Sequence, residues 1–351
     1  MKENAFGPDY SEEIGQILRK LNLGCSFAFA VHGSAVTRYV FSPDPGTKVS
    51  SVIRNADKIA SELSVAGVGI LAPVPELAAI GVEVPRRHRE IIRFEALIPA
   101  LNKSKKLLPV AFGRSVEGEV FLFNLASAPH VLVAGKPGLG KTMVLHSIIC
   151  SLICWADPEH VKFKFAQTDW GWDLFLYRYF DEYVQKPIRN TVDDAFTMLD
   201  EVVIKIERRM CLLRETGAKH FLEYNIKTGK KLPFLIIVID GMAEVIMQDR
   251  RRFEVLIRRI TAVARFCGIH LVMTTNTIFA DTITSTIKSN IPTTIALAVT
   301  NQIQSRIAIN HDGAEKLLGE GDMLFYRYDM DQTIRIQGVL CGPDEDAVEL
   351  K

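Results

Sequence analysis

Hydrophobic and polar residues follow two different patterns along this 351-residue chain. In the first hundred residues, short amphipathic helical segments alternate with short β-like runs. From about residue 110 onward, continuous apolar runs alternate with longer helical segments, which is typical of buried parallel strands covered by helices. The pattern predicts an α/β protein. Its individual predictions are helices at residues 11–21, 51–63 and 253–266, and strands at 25–31, 36–41, 67–71, 81–84, 110–112 and 120–124.

The change of pattern also predicts the domain organisation. Residues 102–109 contain three lysines and one serine and end in proline, which is linker chemistry. We therefore predict a smaller αβ subdomain at residues 1–105, a larger α/β domain with a mostly parallel sheet at 106–345, and a short tail at 346–351.

Composition narrows the class of protein. Hydrophobic residues make up 48% of the chain and charged residues 24%, which is ordinary globular usage. No apolar run reaches the length of about 18 residues that spans a bilayer, and the first residues have no signal-peptide core. We expect a cytoplasmic protein with reduced cysteines and no direct membrane insertion. Because the net charge is only +1, any nucleic-acid contact needs a local basic surface or one built by several subunits.

The strongest motif is a G-x-x-x-x-G-K-[ST] phosphate-binding loop. An apolar run at residues 130–134 precedes it and a helical segment at 143–153 follows it, and this strand–loop–helix context predicts a nucleoside triphosphate site. Lys141 is predicted to neutralise the β and γ phosphates of ATP, and Thr142 to offer its hydroxyl to Mg²⁺. The predicted cofactor-binding residues are Gly135, Lys136, Pro137, Gly138, Leu139, Gly140, Lys141, Thr142 and Met143.

Two further strands are predicted to bring polar residues to the same site. The apolar run at 234–239 ends in Asp240, which fits a Walker B aspartate that supports Mg²⁺ through water. The run at 269–275 is followed by Asn276, which fits either a polar sensor of the γ-phosphate or a simple turn residue.

Several of these segments resemble the FtsK/SpoIIIE family of DNA translocases, and the resemblance covers about residues 10–345. The N-terminal unit is similar to the α subdomain that precedes the family's motor. The membrane-spanning, linker and winged-helix parts of the family are not matched, so we expect a bare motor. The resemblance rests on residues 128–142, 207–225, 264–271, 281–292 and, most specifically, 305–323.

This resemblance implies a RecA-like P-loop NTPase core that assembles as a homo-oligomer. The expected form is a hexameric ring that encloses double-stranded DNA and moves along it by ATP hydrolysis. ATP would lie between subunits, and Arg265 matches the family's arginine that reaches a neighbour's γ-phosphate. Arg306 is a second candidate near the subunit boundary, and Lys288 lies in a segment that could line the pore.

The chain departs from the family at the end of the Walker B strand. Members carry Asp-Glu there, and the glutamate polarises the attacking water, whereas this chain has Asp240-Gly241. Glu244 is a candidate replacement. If the missing glutamate instead limits the protein, hydrolysis should be slow and Gly241→Glu should raise its rate. Three functions remain open. They are an ATP-driven DNA translocase, a hydrolysis-deficient ring subunit that works alone or in a mixed ring with a paralogue, and a related protein-secretion ATPase.

Overall fold

The computed structural model describes residues 8–74, 77–169, 171 and 173–342. Its strands are β1 Cys25–His32, β2 Val36–Pro43, β3 Gly69–Leu71, β4 Ile80–Pro85, β5 Ile92–Arg93, β6 Pro109–Ser115, β7 Val120–Asn124, β8 His130–Ala134, β9 Val161–Gln167, β10 Phe234–Asp240, β11 Ile269–Thr275, β12 Thr293–Leu297, β13 Asp322–Arg327 and β14 Ile334–Leu340. Its helices are α1 Ser11–Lys20, α2 Val49–Arg54, α3 Ala56–Glu62, α4 Ile98–Asn102, α5 Lys141–Trp155, α6 Val192–Thr216, α7 Phe221–Thr228, α8 Met242–Gln248, α9 Arg250–Val263, α10 Ser285–Asn290 and α11 Gln302–Ile309. Short 3₁₀ helices lie at Phe94–Leu97, Asp173–Tyr179 and Ala314–Lys316.

The N-terminal part forms an antiparallel sheet in the order β1-β2-β4-β3. Helices α1 and α3 pack on one face, where Ile14, Tyr39 and Ile59 belong to a common apolar core. The predicted helix at 51–63 is in fact two helices that meet at Asn55. The Asn55 side-chain amide donates to the Ser51 carbonyl at 2.7 Å, a local bond that competes with helix continuation.

The larger sheet holds the remaining strands in the order β7-β6-β14-β13-β12-β8-β11-β10-β9, with β5 paired to β14. Strands β12, β8, β11, β10 and β9 are parallel, which confirms the predicted α/β core with parallel strands. The other strands along the sheet pair antiparallel, so the whole sheet is mixed. Apolar side chains on its two faces form two large clusters under the covering helices.

The two sheets are joined by buried charges. Arg335 on β14 donates to Asp322 at 2.6 Å and to Glu83 of the N-terminal sheet at 2.7 Å. Glu83 also accepts from Arg38, which in turn pairs with Glu117 at the β6–β7 turn. Burial alone would raise the pKa of Glu83, but the two guanidinium groups hold it below its usual value. The chain therefore uses an ion network, rather than apolar packing alone, to fix one unit on the other.

The exact domain boundary near residue 105 stays a prediction. Phe94, Leu97 and Leu101 precede it, yet they pack with Ala111 and Val339 of the larger sheet. The predicted tail at 346–351 lies outside the described residues. Among the described helices, none combines the length and the apolar character that crossing a bilayer requires.

Candidate nucleotide-binding site

The phosphate-binding loop lies at the carboxyl end of β8, between β11 and β12. Its first residues are tied to both neighbours: the Gly135 N–H donates to the Thr275 carbonyl at 3.2 Å, and the Lys136 N–H donates to the Ala298 carbonyl at 3.1 Å. Helix α5 then begins at Lys141. The loop is thus held at the edge where the parallel strands end, which is where α/β sheets bind ligands.

Glycine is needed at specific places in this loop. Gly138 and Gly140 have φ of +74° and +102°, a left-handed backbone that side chains disfavour. At Gly135, a Cβ would lie 2.8 Å from the Leu297 Cβ, so any side chain would collide with β12. The predicted strand–loop–helix is confirmed, and the exposed Pro137 and Gly138 at the tip leave the loop open to solvent.

The Lys141 ammonium points back into its own loop. Nζ donates to the carbonyls of Gly135 at 3.0 Å and Lys136 at 2.8 Å. Burial lowers the pKa of Lys141, while the charges of Asp240 and Asp169 act in the opposite direction. The positive charge is therefore placed at the mouth of the loop, where a phosphate would replace two weak carbonyl contacts with a charge-assisted one.

Asp240 ends β10 as predicted and is 3% exposed. The Thr274 hydroxyl donates to Oδ1, and Gln167 Nε2 donates to Oδ2 at 3.4 Å. Burial raises the pKa of Asp240 to about 6, and the nearby charges of Asp169 and Asp173 add to the rise. The carboxylate lacks a strong positive partner, and a divalent cation would supply one.

The backbone at Gly241 changes one expectation from the sequence. Its φ is +93°, and a Cβ there would lie 2.7 Å from Thr168 Oγ1, 2.8 Å from the Asp169 nitrogen and 2.9 Å from Glu244 Oε2. The space beside residue 241 is thus filled by the segment that follows β9. A glutamate at this position would need both a strained backbone and a displaced neighbour, which argues against the expectation that Gly241→Glu raises hydrolysis; the effect on the rate stays a prediction.

Other carboxylates surround the same position. Glu244 lies in the first turn of α8, and its Oε2 is buried without a hydrogen-bond partner among the described residues. Asp169 and Asp173, which follow β9, both act electrostatically on Asp240, and Asp169 also acts on Lys141. Sequence reasoning did not identify either aspartate. The sequence feature that could have identified Asp169 is its place just beyond the end of a buried parallel strand.

These donors suit Mg²⁺ in chemical type. Thr142 and Asp240 offer hydroxyl and carboxylate oxygens, the ligands that this cation prefers. Among the described residues, no group of three histidine, cysteine or acidic side chains is arranged to hold a metal by itself. A magnesium ion would therefore depend on phosphate oxygens and water for most of its ligands, as it does in other nucleotide sites. When bound, it would neutralise phosphate charge.

Asn276 lies at the nucleotide end of the sheet, as predicted, whereas Arg265 lies at the opposite end. Asn276 is exposed directly after β11, beside the loop, and its Oδ1 accepts from the Thr277 hydroxyl at 3.0 Å. Arg265 is exposed in the turn before β11, at the amino ends of the strands. About 20 Å of strand separates that turn from the nucleotide end of the sheet. The structure therefore does not bring Arg265 to the site of its own chain, and its action on a neighbour stays a prediction.

Lys288 and Arg306 are already engaged within the chain. Lys288 Nζ donates to the Arg306 carbonyl at 2.9 Å and to Asn310 Oδ1 at 2.8 Å, so it caps the end of α11. The Arg306 guanidinium forms a bidentate pair with Asp312 at 2.6 and 2.8 Å. Both side chains keep further N–H donors beyond those used in these bonds, so a phosphate contact at either residue would add to its present partners.

The segment at residues 318–322 contacts the phosphate-binding loop directly. The Gly321 N–H donates to the Leu139 carbonyl at 3.4 Å. On its other side, Arg89 donates to the carbonyls of Leu318 and Gly319, both at 3.1 Å. This segment therefore links the loop to the N-terminal part of the chain.

Comparison with known proteins agrees with this geometry. The sequence profile of the FtsK/SpoIIIE family matches residues 98–284, and that of the FtsK alpha domain matches residues 7–86. The chain belongs to the FtsK/SpoIIIE family. Its N-terminal four-stranded unit corresponds to the family's α domain, and the recognition made from sequence is confirmed.

Individual relatives are DNA translocases. The chain is 36% identical to the DNA translocase SftA of Bacillus subtilis over 328 residues, which cover 92% of this chain and 34% of that protein. It is 34% identical to the DNA translocase FtsK of Borreliella burgdorferi over 332 residues, which cover 92% of this chain and 42% of that protein. The chain thus spans less than half the length of these relatives.

Solved structures confirm the P-loop ATPase fold. The conjugation coupling protein TcpA of pCW3, solved as a monomer with ATPγS, superposes with a TM-score of 0.64 at 20% identity and 94% coverage of both chains. The cytoplasmic domain of the type VII secretion ATPase EccC of Thermomonospora curvata gives 0.63 at 19% identity, over 74% of this chain and 33% of that one. At these identities the likeness concerns the fold.

Proposed function

We propose that this chain binds Mg²⁺·ATP between the phosphate-binding loop and Asp240 and serves as the motor of a ring-shaped translocase of double-stranded DNA. The observation that carries nucleotide binding is the phosphate-binding loop, with Lys141 at its mouth. Asp240, which lacks a strong positive partner, ends β10, two strands away from β8 in the sheet. DNA as the cargo is supported by the FtsK/SpoIIIE membership and by the names of the relatives.

The position of Arg265 supports the proposal of ring assembly. Because it lies at the opposite end of β11 from its own nucleotide site, an arginine in this role has to act on a neighbouring subunit. In related phosphoryl-transfer enzymes such an arginine accounts for about 10³- to 10⁵-fold in rate. We propose a hexameric homo-oligomer on this basis.

A hydrolysis-deficient ring subunit is the second candidate, and Gly241 is the observation that favours it. Glycine can neither orient water nor accept its proton, and the surrounding chain fills the space of a longer side chain. Hydrolysis then has to use Asp169 or Glu244, or it is slow. The likeness to EccC concerns the fold and adds nothing specific for protein cargo.

Nucleotide binding is tested with Lys141→Ala and the matched control Lys230→Ala, an exposed lysine at the amino end of β10. A fluorescent non-hydrolysable ATP analogue should bind the parent and the control equally and should not bind Lys141→Ala. Equal binding by all three proteins would remove the phosphate-loop assignment.

Cargo and turnover are tested by the steady-state ATPase rate with and without linear duplex DNA. We expect DNA to stimulate the rate, and we expect binding to weaken steeply with salt because it rests on phosphate contacts. DNA binding without turnover would favour the hydrolysis-deficient subunit. Binding that ignores salt between low and physiological concentrations would argue against DNA as the cargo.

A further inference from the structure

The 318–322 segment, which leads into β13, has an unusual backbone conformation. Gly319, Glu320 and Gly321 have φ of +77°, +52° and +82°, so three consecutive residues lie in the left-handed region. The side chain of Glu320 disfavours this region, and glycine leaves it readily because it adopts many other conformations. The segment therefore depends on contacts with the rest of the protein for its shape.

This segment supports one side of the phosphate-binding loop. In addition to the hydrogen bond from the Gly321 N–H to the Leu139 carbonyl, a Cβ on Gly319 would lie only 3.3 Å from Leu139 Cδ2. A Cβ on Gly140 would lie 3.5 Å from the Gly321 nitrogen. The two glycines of the segment therefore lie against the loop residues that lead into α5, where backbone N–H groups would meet the phosphates.

Two different parts of the protein hold the segment. The carbonyls of Glu320 and Gly321 each accept a hydrogen bond of 2.8 Å from β14. The carbonyls of Leu318 and Gly319 each accept a hydrogen bond of 3.1 Å from the Arg89 guanidinium. Arg89 therefore fixes the first half of the segment, and β14 fixes the second half.

Arg89 belongs to the N-terminal unit, where its own position is fixed. It lies in the connection between β4 and β5. On either side of it, the Arg86 N–H donates to the Ala35 carbonyl at 2.9 Å, and the Glu90 N–H donates to the Ser34 carbonyl at 3.0 Å. Both bonds tie the connection to the β1–β2 turn, and the Arg89 side chain is only 25% exposed. The guanidinium thus reaches the segment from a fixed base.

We propose that Arg89 is a positioning residue for nucleotide binding, because it fixes the 318–322 segment and the segment fixes the Leu139 side of the phosphate-binding loop. This inference rests on the proposed binding of ATP. Without the guanidinium, residues 318 and 319 lose both contacts, and the segment can leave the left-handed conformation. The nucleotide then has to order the loop itself, so the affinity falls by the free energy that this ordering requires.

The test measures the dissociation constant of a fluorescent non-hydrolysable ATP analogue for the parent, Arg89→Met and Arg87→Met. Arg87 is an exposed arginine two residues away and serves as the matched control. Arg89→Met should raise the constant by about fivefold, which corresponds to the loss of one ordinary hydrogen bond, and Arg87→Met should leave it unchanged. Arg89→Lys, which can keep one of the two carbonyl contacts, should give an intermediate value.

A double-mutant cycle tests whether Arg89 acts through the segment. Gly321→Ala strains the half of the segment that Arg89 does not contact, because residue 321 has a φ of +82°. Since both changes act on one element, Arg89→Met should raise the dissociation constant less in the Gly321→Ala protein than in the parent. Effects that simply multiply would overturn the path through the segment.

Hydrogen exchange of the nucleotide-free protein gives a readout that a general loss of stability would not reproduce. Arg89→Met should speed exchange within residues 318–322 and 135–142 and leave exchange in β10 and β11 unchanged. Equal dissociation constants for the parent and Arg89→Met, or unchanged exchange in both segments, would overturn the inference. If the parent binds no nucleotide, the proposed function fails, and the exchange data still decide whether Arg89 holds the loop.

Discussion

Stability should fall as pH falls below neutrality because of two buried histidines at the amino ends of β8 and β11. His130 and His270 are each 1% exposed. The Leu271 N–H donates to His130 Nδ1 at 3.1 Å, and His270 Nδ1 lies 3.1 Å from the Pro129 carbonyl. Both Nε2 atoms are buried without a hydrogen-bond partner among the described residues. A proton added to His270 Nε2 would thus have no acceptor, and a proton added to His130 Nδ1 would face the Leu271 N–H donor.

The pKa values give the size and sign of the effect. Burial, with a contribution from His270, lowers the pKa of His130 from its ordinary 6.5 to about 3. Burial also lowers the pKa of His270 to about 4, and the charges of Arg265 and Arg209 add to this. As the pH falls, the two histidines therefore bind protons in the unfolded chain but stay neutral in the folded chain. The stabilisation is complete above pH 6.5 and is lost progressively below it, by about 2 kcal/mol per ring between pH 7.5 and 5.

Other groups titrate in the same pH range, so the contribution of the histidines has to be measured as a difference in the free energy of unfolding between the parent and histidine variants. The raised pKa of Asp240, for example, means that acidification stabilises the folded chain there. We would compare the parent with His130→Asn and His270→Asn, because asparagine can keep the hydrogen bond made at each Nδ1. Urea unfolding at pH 7.5 and at pH 5 should show that each variant loses about 2 kcal/mol less than the parent. The reasoning is refuted if parent and variants lose the same amount.

Three further predictions concern individual side chains. Gly241→Glu should not exceed the parental ATPase rate, and it should melt lower, as should Gly241→Ala; a rate increase would contradict the steric argument. If the half-exposed Asp169 carboxylate orients water, Asp169→Asn should slow turnover at saturating ATP by about 10²-fold or more, and Glu244→Gln should have a smaller effect. A larger loss of turnover in Glu244→Gln than in Asp169→Asn would assign the role to Glu244. Arg335→Met should cost about 3–5 kcal/mol in urea unfolding. The exposed Arg252→Met, which breaks a pair with Asp200, should cost under about 1 kcal/mol, and similar losses would show that burial of the network is unimportant.

Local signals predicted the centre of the ATPase fold well. The apolar runs that became β8 and β10, the glycine spacing of the loop and the start of α5 all follow from short-range chemistry, and the structure has them where expected. The hairpin at residues 110–124 was also local, because its strands are joined by a tight turn. Such elements can be identified from a window of a dozen residues.

Features that depend on distant parts of the chain were not predictable in the same way. The pairing of β14 with β6 of the hairpin joins segments more than 200 residues apart, and no local pattern specifies that register. The same limit applies to Asp169, which reaches Asp240 only because β9 lies beside β10. At Gly241 the sequence shows the missing carboxylate but not the backbone angle, so it suggested a substitution that the backbone conformation disfavours.

The ion network around Arg335 also limits how the two units of this chain can be exchanged with those of its relatives in a chimera. Arg38 pairs with Glu83 inside the N-terminal sheet and Arg335 pairs with Asp322 inside the ATPase sheet, whereas the Arg335–Glu83 and Arg38–Glu117 pairs cross from one unit to the other. A chimera that exchanges one unit for a relative's has to carry complementary charges at the positions of the two crossing pairs. Exchange of the α domain is thus constrained by four residues in addition to the linker.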